Sequence, residues 1–206
     1  MKKLLPGVIA MAIIVVASNI LVQYPIGQWL TWGAFTYPFA FLISELVNRF
    51  QGAQAARRVV YAGLAVGLIC SLIGTQIMGE FGPLVTLRVA IGSAIAFLIS
   101  QLLDVALFDK LRSSTWWRAP FLSSLLGSSF DTMIFFTIAF SGALIWLEPA
   151  NDVSWATGAV PLLGIGREVP LWVSLGLADW LVKVAVDLIA LMPFRIMVMK
   201  YAARLA

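Results

Sequence analysis

The sequence predicts an all-α integral membrane protein, a single domain folded as a compact bundle of six transmembrane helices with both termini in the cytoplasm. Three observations predict it. Of 206 residues, 61% are hydrophobic and 12% charged, against about 25% charged in an ordinary soluble domain. Mean hydropathy is +0.96, and apolar runs of about twenty residues, the length that crosses a hydrocarbon core, recur along the chain. Finally, eleven of the fourteen Lys and Arg residues fall on one side of the bundle that these runs define, the asymmetry that sets orientation in a membrane.

The spans are expected at residues 4–23, 33–48, 59–78, 84–108, 119–147 and 171–198. At 1.5 Å per helical residue, twenty residues cover about 30 Å, so every span but the second is long enough and the last two have length to tilt. Lys2 and Lys3 precede the first span. Arg49, Arg57 and Arg58 separate the second from the third, and Lys110, Arg112 and Arg118 the fourth from the fifth. Arg195, Lys200 and Arg204 end the chain. The opposite loops hold only Arg167. The basic pI of 9.5 is therefore read as orientation in a bilayer, with no direct nucleic-acid partner. Lys2 and Lys3 suit the start of a signal peptide, but the apolar run continues to Val22. Cleavage would leave five spans and break the charge alternation, so the segment is expected to stay. The one long outer loop, 148–170, is rich in Pro and Gly, which suits a plain loop or a short re-entrant or surface helix equally.

Several function classes are disfavoured. There is no histidine and one cysteine, Cys70, so no internal disulfide and no common metal set is expected. A Gly-x-Ser-x-Gly elbow and a Walker A loop are both missing from the sequence, which argues against hydrolase chemistry and against ATP hydrolysis by this chain. No cofactor and no enzymatic activity are expected. No channel filter motif or charge ring is visible either. A small-solute carrier fits best, because seven ionisable residues fall within the spans: Glu45, Arg88, Asp104, Asp131, Asp179, Lys183 and Asp187. Each costs roughly 2.5–3.5 kcal/mol at mid-membrane on insertion scales.

Depth separates them. Asp131 and Lys183 lie about 18 Å into their spans, near the midplane, where charges mark a substrate or ion path. Arg88 lies in the outer half and Asp179 slightly outside the midplane; Glu45, Asp104 and Asp187 lie in the inner half. In the stretch "ADWLVKVAVD", Asp179, Lys183 and Asp187 stand four residues apart, on one helical face and spaced for ion pairs. Glu45 and Asp104 are expected to meet Arg49 or Lys110 near the headgroups, by snorkelling. Asp187 is read as structural, and Glu45, Gln101, Asp104 and Asp187 are given gating or structural roles. Asn19 and Gln23 add amides one turn apart. Ser124, Gly127, Ser128 and Asp131 share a face, as do Gly63 and Gly67, suiting close helix packing. Trp29 and Trp32 suit an interfacial belt, whereas Phe35 and Tyr37 beside Pro38, where the helix is open to breakage, suit stacking on a flat ring.

The segments "SNILVQYP" (18–25), "TWGAFTYPFAFLISELVNRFQGAQAARRVVY" (31–61), "RVAIGSAIAFLISQLLDVALFDKLR" (88–112) and "WWRAPFLSSLLGSSFDTMIFFTIAF" (116–140), with Asp179-x-x-x-Lys183 before Met192-Pro193, resemble the queuosine precursor transporter family, also called the VUT family. The likeness covers nearly the whole chain. It departs around Glu148–Arg167 and at Glu45, where the family commonly has Asp. The resemblance implies a multi-pass protein of the bacterial cytoplasmic membrane that imports 7-cyano-7-deazaguanine, and 7-aminomethyl-7-deazaguanine beside it. Partner-dependent action, as in substrate-binding subunits of energy-coupling-factor transporters, or carriage of another small planar solute, is the alternative; a homo-oligomer or an energising partner is left open. For such a ligand, one carboxylate accepts the parallel N1–H and 2-amino donors, a role assigned to Asp131. Asn19, Gln23 and Arg88 are assigned as polar contacts or gates, Phe35 as a stacking face, and Lys183 as the balance to Asp131, Asp179 or both.

Overall fold

The computed structural model describes residues 4–80 and 82–203, with side chains to Lys200. Lys2, Lys3 and Arg204 of the orientation argument lie outside the described residues. The chain is mostly helical: α1 (Leu5–Leu21), α2 (Gly33–Thr36), α3 (Phe39–Gln51), α4 (Ala53–Gly74), α5 (Leu87–Leu111), α6 (Arg118–Phe140), α7 (Ser154–Thr157) and α8 (Leu171–Ala203). Of these, α4, α5 and α6 are long and apolar enough to cross a membrane by length and composition, and α1 is a shorter apolar helix.

Connections alternate between two ends. At one end, small antiparallel hairpins join the helices: β1 (Pro25–Ile26) with β2 (Leu30–Thr31), β3 (Met78–Gly79) with β4 (Gly82–Pro83), and β5 (Ala159–Pro161) with β6 (Glu168–Pro170). At the other end, α3 turns into α4 at Gly52, and residues 112–117 join α5 to α6. Gly52 has φ +86° and open space where a Cβ would sit, so glycine is needed there for backbone conformation alone.

The second expected span is interrupted where Pro38 stands. A proline has no N–H to give and crowds the carbonyl four residues back. Accordingly α2 stops at Thr36, and the Ala40 and Phe41 amides bond to the carbonyls three residues earlier, Tyr37 and Pro38. The fifth span is shorter than its apolar run: α6 ends at Phe140, Ser141 is extended, and residues Gly142–Leu147 form a separate 3-10 stretch. The end is held by Arg88 of α5, whose Nε donates to the Ile138 carbonyl (3.0 Å) and Nη2 to the Ser141 carbonyl (2.6 Å), carbonyls a helix terminus leaves free. In return, Glu148 accepts from the first amides of α5, Leu87 and Arg88. The helix α4 starts six residues before the predicted span, with Arg57 and Arg58 exposed on its first turns; hydropathy marks only the apolar stretch of a helix that begins in polar sequence.

The packing is inverted relative to a soluble bundle. Leu5, Ile9, Ile13 and Ile20 of α1, and Leu68, Ile69, Leu72 and Ile73 of α4, are exposed, whereas Arg88, Gln101, Asn48 and Asp104 are among the largest fully buried side chains. Apolar surface outside and polar groups inside is the arrangement lipid imposes. With the apolar helices, it identifies a multi-pass membrane protein. Close approaches use glycine. A Cβ on Gly63 would come within 2.7 Å of Met11 and 3.0 Å of Phe97, and one on Gly127 within 2.8 Å of Phe41. Gly63 thus lets α1 and α5 approach α4, and Gly127 lets α3 approach α6.

Candidate functional site

On α8 the buried positions are Ser174, Gly176, Ala178, Lys183, Asp187, Ala190 and Phe194, mostly three to five apart and so one helical face. That face turns Lys183 inward. Its Nζ donates to Asp131 Oδ2 of α6 (2.8 Å), to Asp179 Oδ2 one turn earlier (2.5 Å), and to Thr132 Oγ1 (3.1 Å). An ammonium has three donors, and all three are used. Thr132 passes the contact on, donating to Asp179 Oδ2 at 3.0 Å.

Asp131 Oδ1 accepts from the Tyr37 hydroxyl at 2.8 Å and from Ser100 of α5 at 3.4 Å. Tyr37 reaches it because it stands at the break between α2 and α3. The Tyr37 ring lies edge-on to Phe41 and Phe97, with Lys183 Nζ 5.1 Å from its centroid. Helices α5, α6 and α8, with Tyr37 from the break between α2 and α3, thus converge on one carboxylate–ammonium–carboxylate unit. On its far side Tyr37 lines a cavity of about 50 Å³ shared with Asn19, Gly63, Ser71, Ser93 and Phe97. Small-molecule sites begin at roughly 300 Å³, so this is a closed arrangement.

A second polar layer lies further along the same helices. Glu45 Oε1 accepts from Ser124 (2.6 Å) and Ser123 (3.2 Å). Asp104 Oδ2 accepts from Ser44 (3.1 Å), and Asp187 Oδ2 from Ser128 (2.9 Å). Two expectations are corrected here. Glu45 and Asp104 do not snorkel to Arg49 or Lys110; both are buried and turn to serines, while Arg49 reaches the Arg112 carbonyl. Among the described residues no ion pair joins Lys183 to Asp187 despite their spacing, because the ammonium's donors are already taken.

The structure brings Asp131, Asp179 and Lys183 together, with Asn19 across Tyr37 from them. Others stand apart. Arg88 is engaged at the α6 terminus, Gln23 is exposed and contacts the Leu84 carbonyl at 3.5 Å, and Phe35 is partly exposed beside Trp32. Gln101 is buried in the second layer's helix, α5. Sequence reasoning missed Ser100, Thr132 and Ser123, and read Ser124 as a helix-packing residue rather than a partner of Glu45. Thr132 follows Asp131 directly, and Ser123 and Ser124 follow Pro120 by one turn, but serine and threonine are too common in membrane helices to stand out.

At the end opposite the hairpins, a cavity of about 250 Å³ is lined by Arg49, Arg112, Trp116, Phe194 and Arg195. The Arg195 guanidinium lies 4.6 Å from the Trp116 ring centre.

Residues 31–198 match the family described as "putative vitamin uptake transporter". The chain is 34% identical to the queuosine precursor transporter of Escherichia coli (strain K12), over 88% of this chain and 79% of that protein. It is 32% identical to a probable queuosine precursor transporter of Haemophilus influenzae, over 87% of this chain and 79% of that one. A Bacillus subtilis protein of the same description is 26% identical over 80% of the chain. No solved structure matches the chain. These relatives are named as transporters, in keeping with a chain expected to be no enzyme. With a family match across most of its length and a buried charged unit at the centre of its bundle, the chain belongs to this family of membrane uptake transporters.

Proposed function

We propose that the chain imports queuosine precursors, 7-cyano-7-deazaguanine and with it 7-aminomethyl-7-deazaguanine, into the bacterial cytoplasm for tRNA modification. The observation that carries this reading is the buried Asp131–Lys183–Asp179 unit, set in a chain 34% identical to a protein named for that transport. The ligand is flat, with two parallel donors on its guanine edge; a carboxylate accepts both, and aromatic faces stack the ring. Asp131 reads the edge, and Tyr37, bonded to it and edge-on to Phe41 and Phe97, offers the aromatic face. In the closed arrangement Tyr37 and Lys183 fill the acceptors that the ligand would need. Binding therefore requires Tyr37 to yield, which opens the small cavity behind it.

We also take the six-span topology with cytoplasmic termini as the working arrangement in the bacterial cytoplasmic membrane. Reporter fusions after Arg58, Arg112 and Ala206 are expected to read cytoplasmic, and those near Gly82 and Thr157 external; a cytoplasmic Thr157 overturns it. Action as a passive binding subunit for a separate motor draws little support. The small residues that would form docking faces, Gly63, Gly92 and Gly127, meet Met11, Ile138 and Phe41 of the same chain. Purified protein in liposomes tests the proposal: uptake of labelled 7-cyano-7-deazaguanine without other proteins is expected. Binding without uptake would favour the subunit reading, and neither binding nor uptake would defeat both.

A further inference from the structure

The second layer has a charge imbalance that the substrate reading does not use. Its helices place five carboxylates, Glu45, Asp104, Asp131, Asp179 and Asp187, in the interior with one ammonium, Lys183. The other interior cation, Arg88, is committed to the far end of α6. Lys183 serves Asp131 and Asp179 directly. Glu45 of α3 stands within electrostatic reach of Asp104 of α5 and Asp187 of α8, and the contacts these three make are with serines. No titratable group on α1 faces them, and Arg57 and Arg58 of α4 point outward. The charges in range are thus one another and, from α8, Lys183 beside Asp187. Three like charges out of water, none of them in contact with a cation among the described residues, are strongly unfavourable.

A separate observation points to what relieves this. Asp104 Oδ1 has no hydrogen-bond partner although Asp104 is 0% exposed. Gln101, also 0% exposed and one turn away on the same face of α5, has neither its Nε2 nor its Oε1 satisfied. Buried polar groups are normally paired. The Gln101 amide has an unpaired donor suited to Asp104 Oδ1 when the carboxylate is ionised and an unpaired acceptor suited to it when Asp104 carries a proton, so the pair serves both states. Among the described residues no three Asp or Glu side chains converge as metal ligands, so a proton suits the geometry better than a coordinated cation.

We propose that Glu45, Asp104 and Asp187, with Gln101, form a proton-binding site that couples inward proton movement to substrate import. The site takes one proton from the outer solution while the path is open outward and releases it to the cytoplasm after the substrate leaves. No bond other than O–H changes. The proposal rests on the import reading, and its test separates the two. In lipid nanodiscs, infrared difference spectra across a pH step should show a carboxylic-acid C=O band that fades as pH rises. The Glu45→Gln/Asp104→Asn/Asp187→Asn variant should lack it, while eluting as folded protein. A wild-type protein with no such band, or a variant that keeps it unchanged, overturns the site whatever the substrate is.

In proteoliposomes, an inward gradient of one pH unit should drive about tenfold accumulation of labelled 7-cyano-7-deazaguanine at one proton per substrate. A protonophore should abolish it. The variant should retain gradient-free exchange and lose accumulation. Exchange in wild type without any response to the pH gradient, or with a response only to sodium, overturns the coupling and leaves import standing. Lack of exchange in wild type defeats the substrate reading, while the infrared titration still decides the proton site.

Discussion

The two polar layers use the same kind of residue and solve the same electrostatic problem differently. Around Lys183, two carboxylates share one ammonium in direct contact, with Tyr37, Ser100 and Thr132 filling remaining positions. Around Glu45, three carboxylates meet serines only, and buried atoms of Asp104 and Gln101 go unpaired. The first layer holds its carboxylates against a counter-ion and is closed on itself. On the proposed reading, a ligand would enter it by exchanging one set of contacts for another, which suits selection. The second is short of positive charge, which suits a small mobile cation. Membrane burial thus sorts the acidic residues by their neighbours more than by their depth.

The largest expected effect is at Lys183. Lys183→Met strands Asp131 and Asp179, and removing one partner of a buried pair costs about 3–5 kcal/mol. Thermal unfolding in detergent should show a large loss, and adding Asp131→Asn should recover part of it. A single variant as stable as wild type would mean that the first layer is no more charge-dependent than the second.

Next is Asp131→Asn, which keeps size but loses one acceptor and the charge. Binding of 7-cyano-7-deazaguanine should weaken by roughly 1.5–3 kcal/mol, or about tenfold to a few hundredfold. A purine analogue lacking the 2-amino group should lose much less. Equal losses for both ligands, or full rescue by Lys183→Met, would reduce Asp131 to a counter-ion. Tyr37→Phe removes one hydrogen bond to a charged acceptor, worth about 1.5 kcal/mol. It should destabilise the empty protein while strengthening ligand affinity by up to about tenfold, since the ligand no longer displaces the hydroxyl. Weaker binding on titration would show that Tyr37 contacts the ligand directly.

The smallest effect separates the layers most sharply. Ser128→Ala removes the hydroxyl that donates to Asp187. If Asp187 carries the shared proton, the loss is that of a neutral hydrogen bond, about 0.5–1.5 kcal/mol. It should shrink at low pH and grow at high pH, as measured by unfolding in detergent. A pH-independent cost would place the proton elsewhere in the trio.

Much of this was legible beforehand because it rests on local spacing. Asp179 and Lys183 are four apart on a helix, so their pairing follows from helical geometry. Asp131 and Lys183 were placed at the same depth, and the structure sets them 2.8 Å apart. Pro38 announced the break that frees Tyr37. Depth arguments failed for Glu45 and Asp104. They measure distance along a helix, whereas the partner of a buried carboxylate depends on what the neighbouring helices present around the axis. The rotational settings of α3 and α5 bring serines, and carry Arg49 to the Arg112 carbonyl instead.

Composition and pattern by themselves determined that the chain is a helical membrane protein, roughly where its helices run, and which charges share a face, because hydropathy and helical periodicity are properties of the local chain. Tertiary structure decided which charges meet. Lys183 lies within four residues of both Asp179 and Asp187, yet it joins the first and leaves the second to Ser128. An ammonium has three donors, and the approach of α6 to α8, eased by Gly176 against Phe136, brings Asp131 and Thr132 to take the other two.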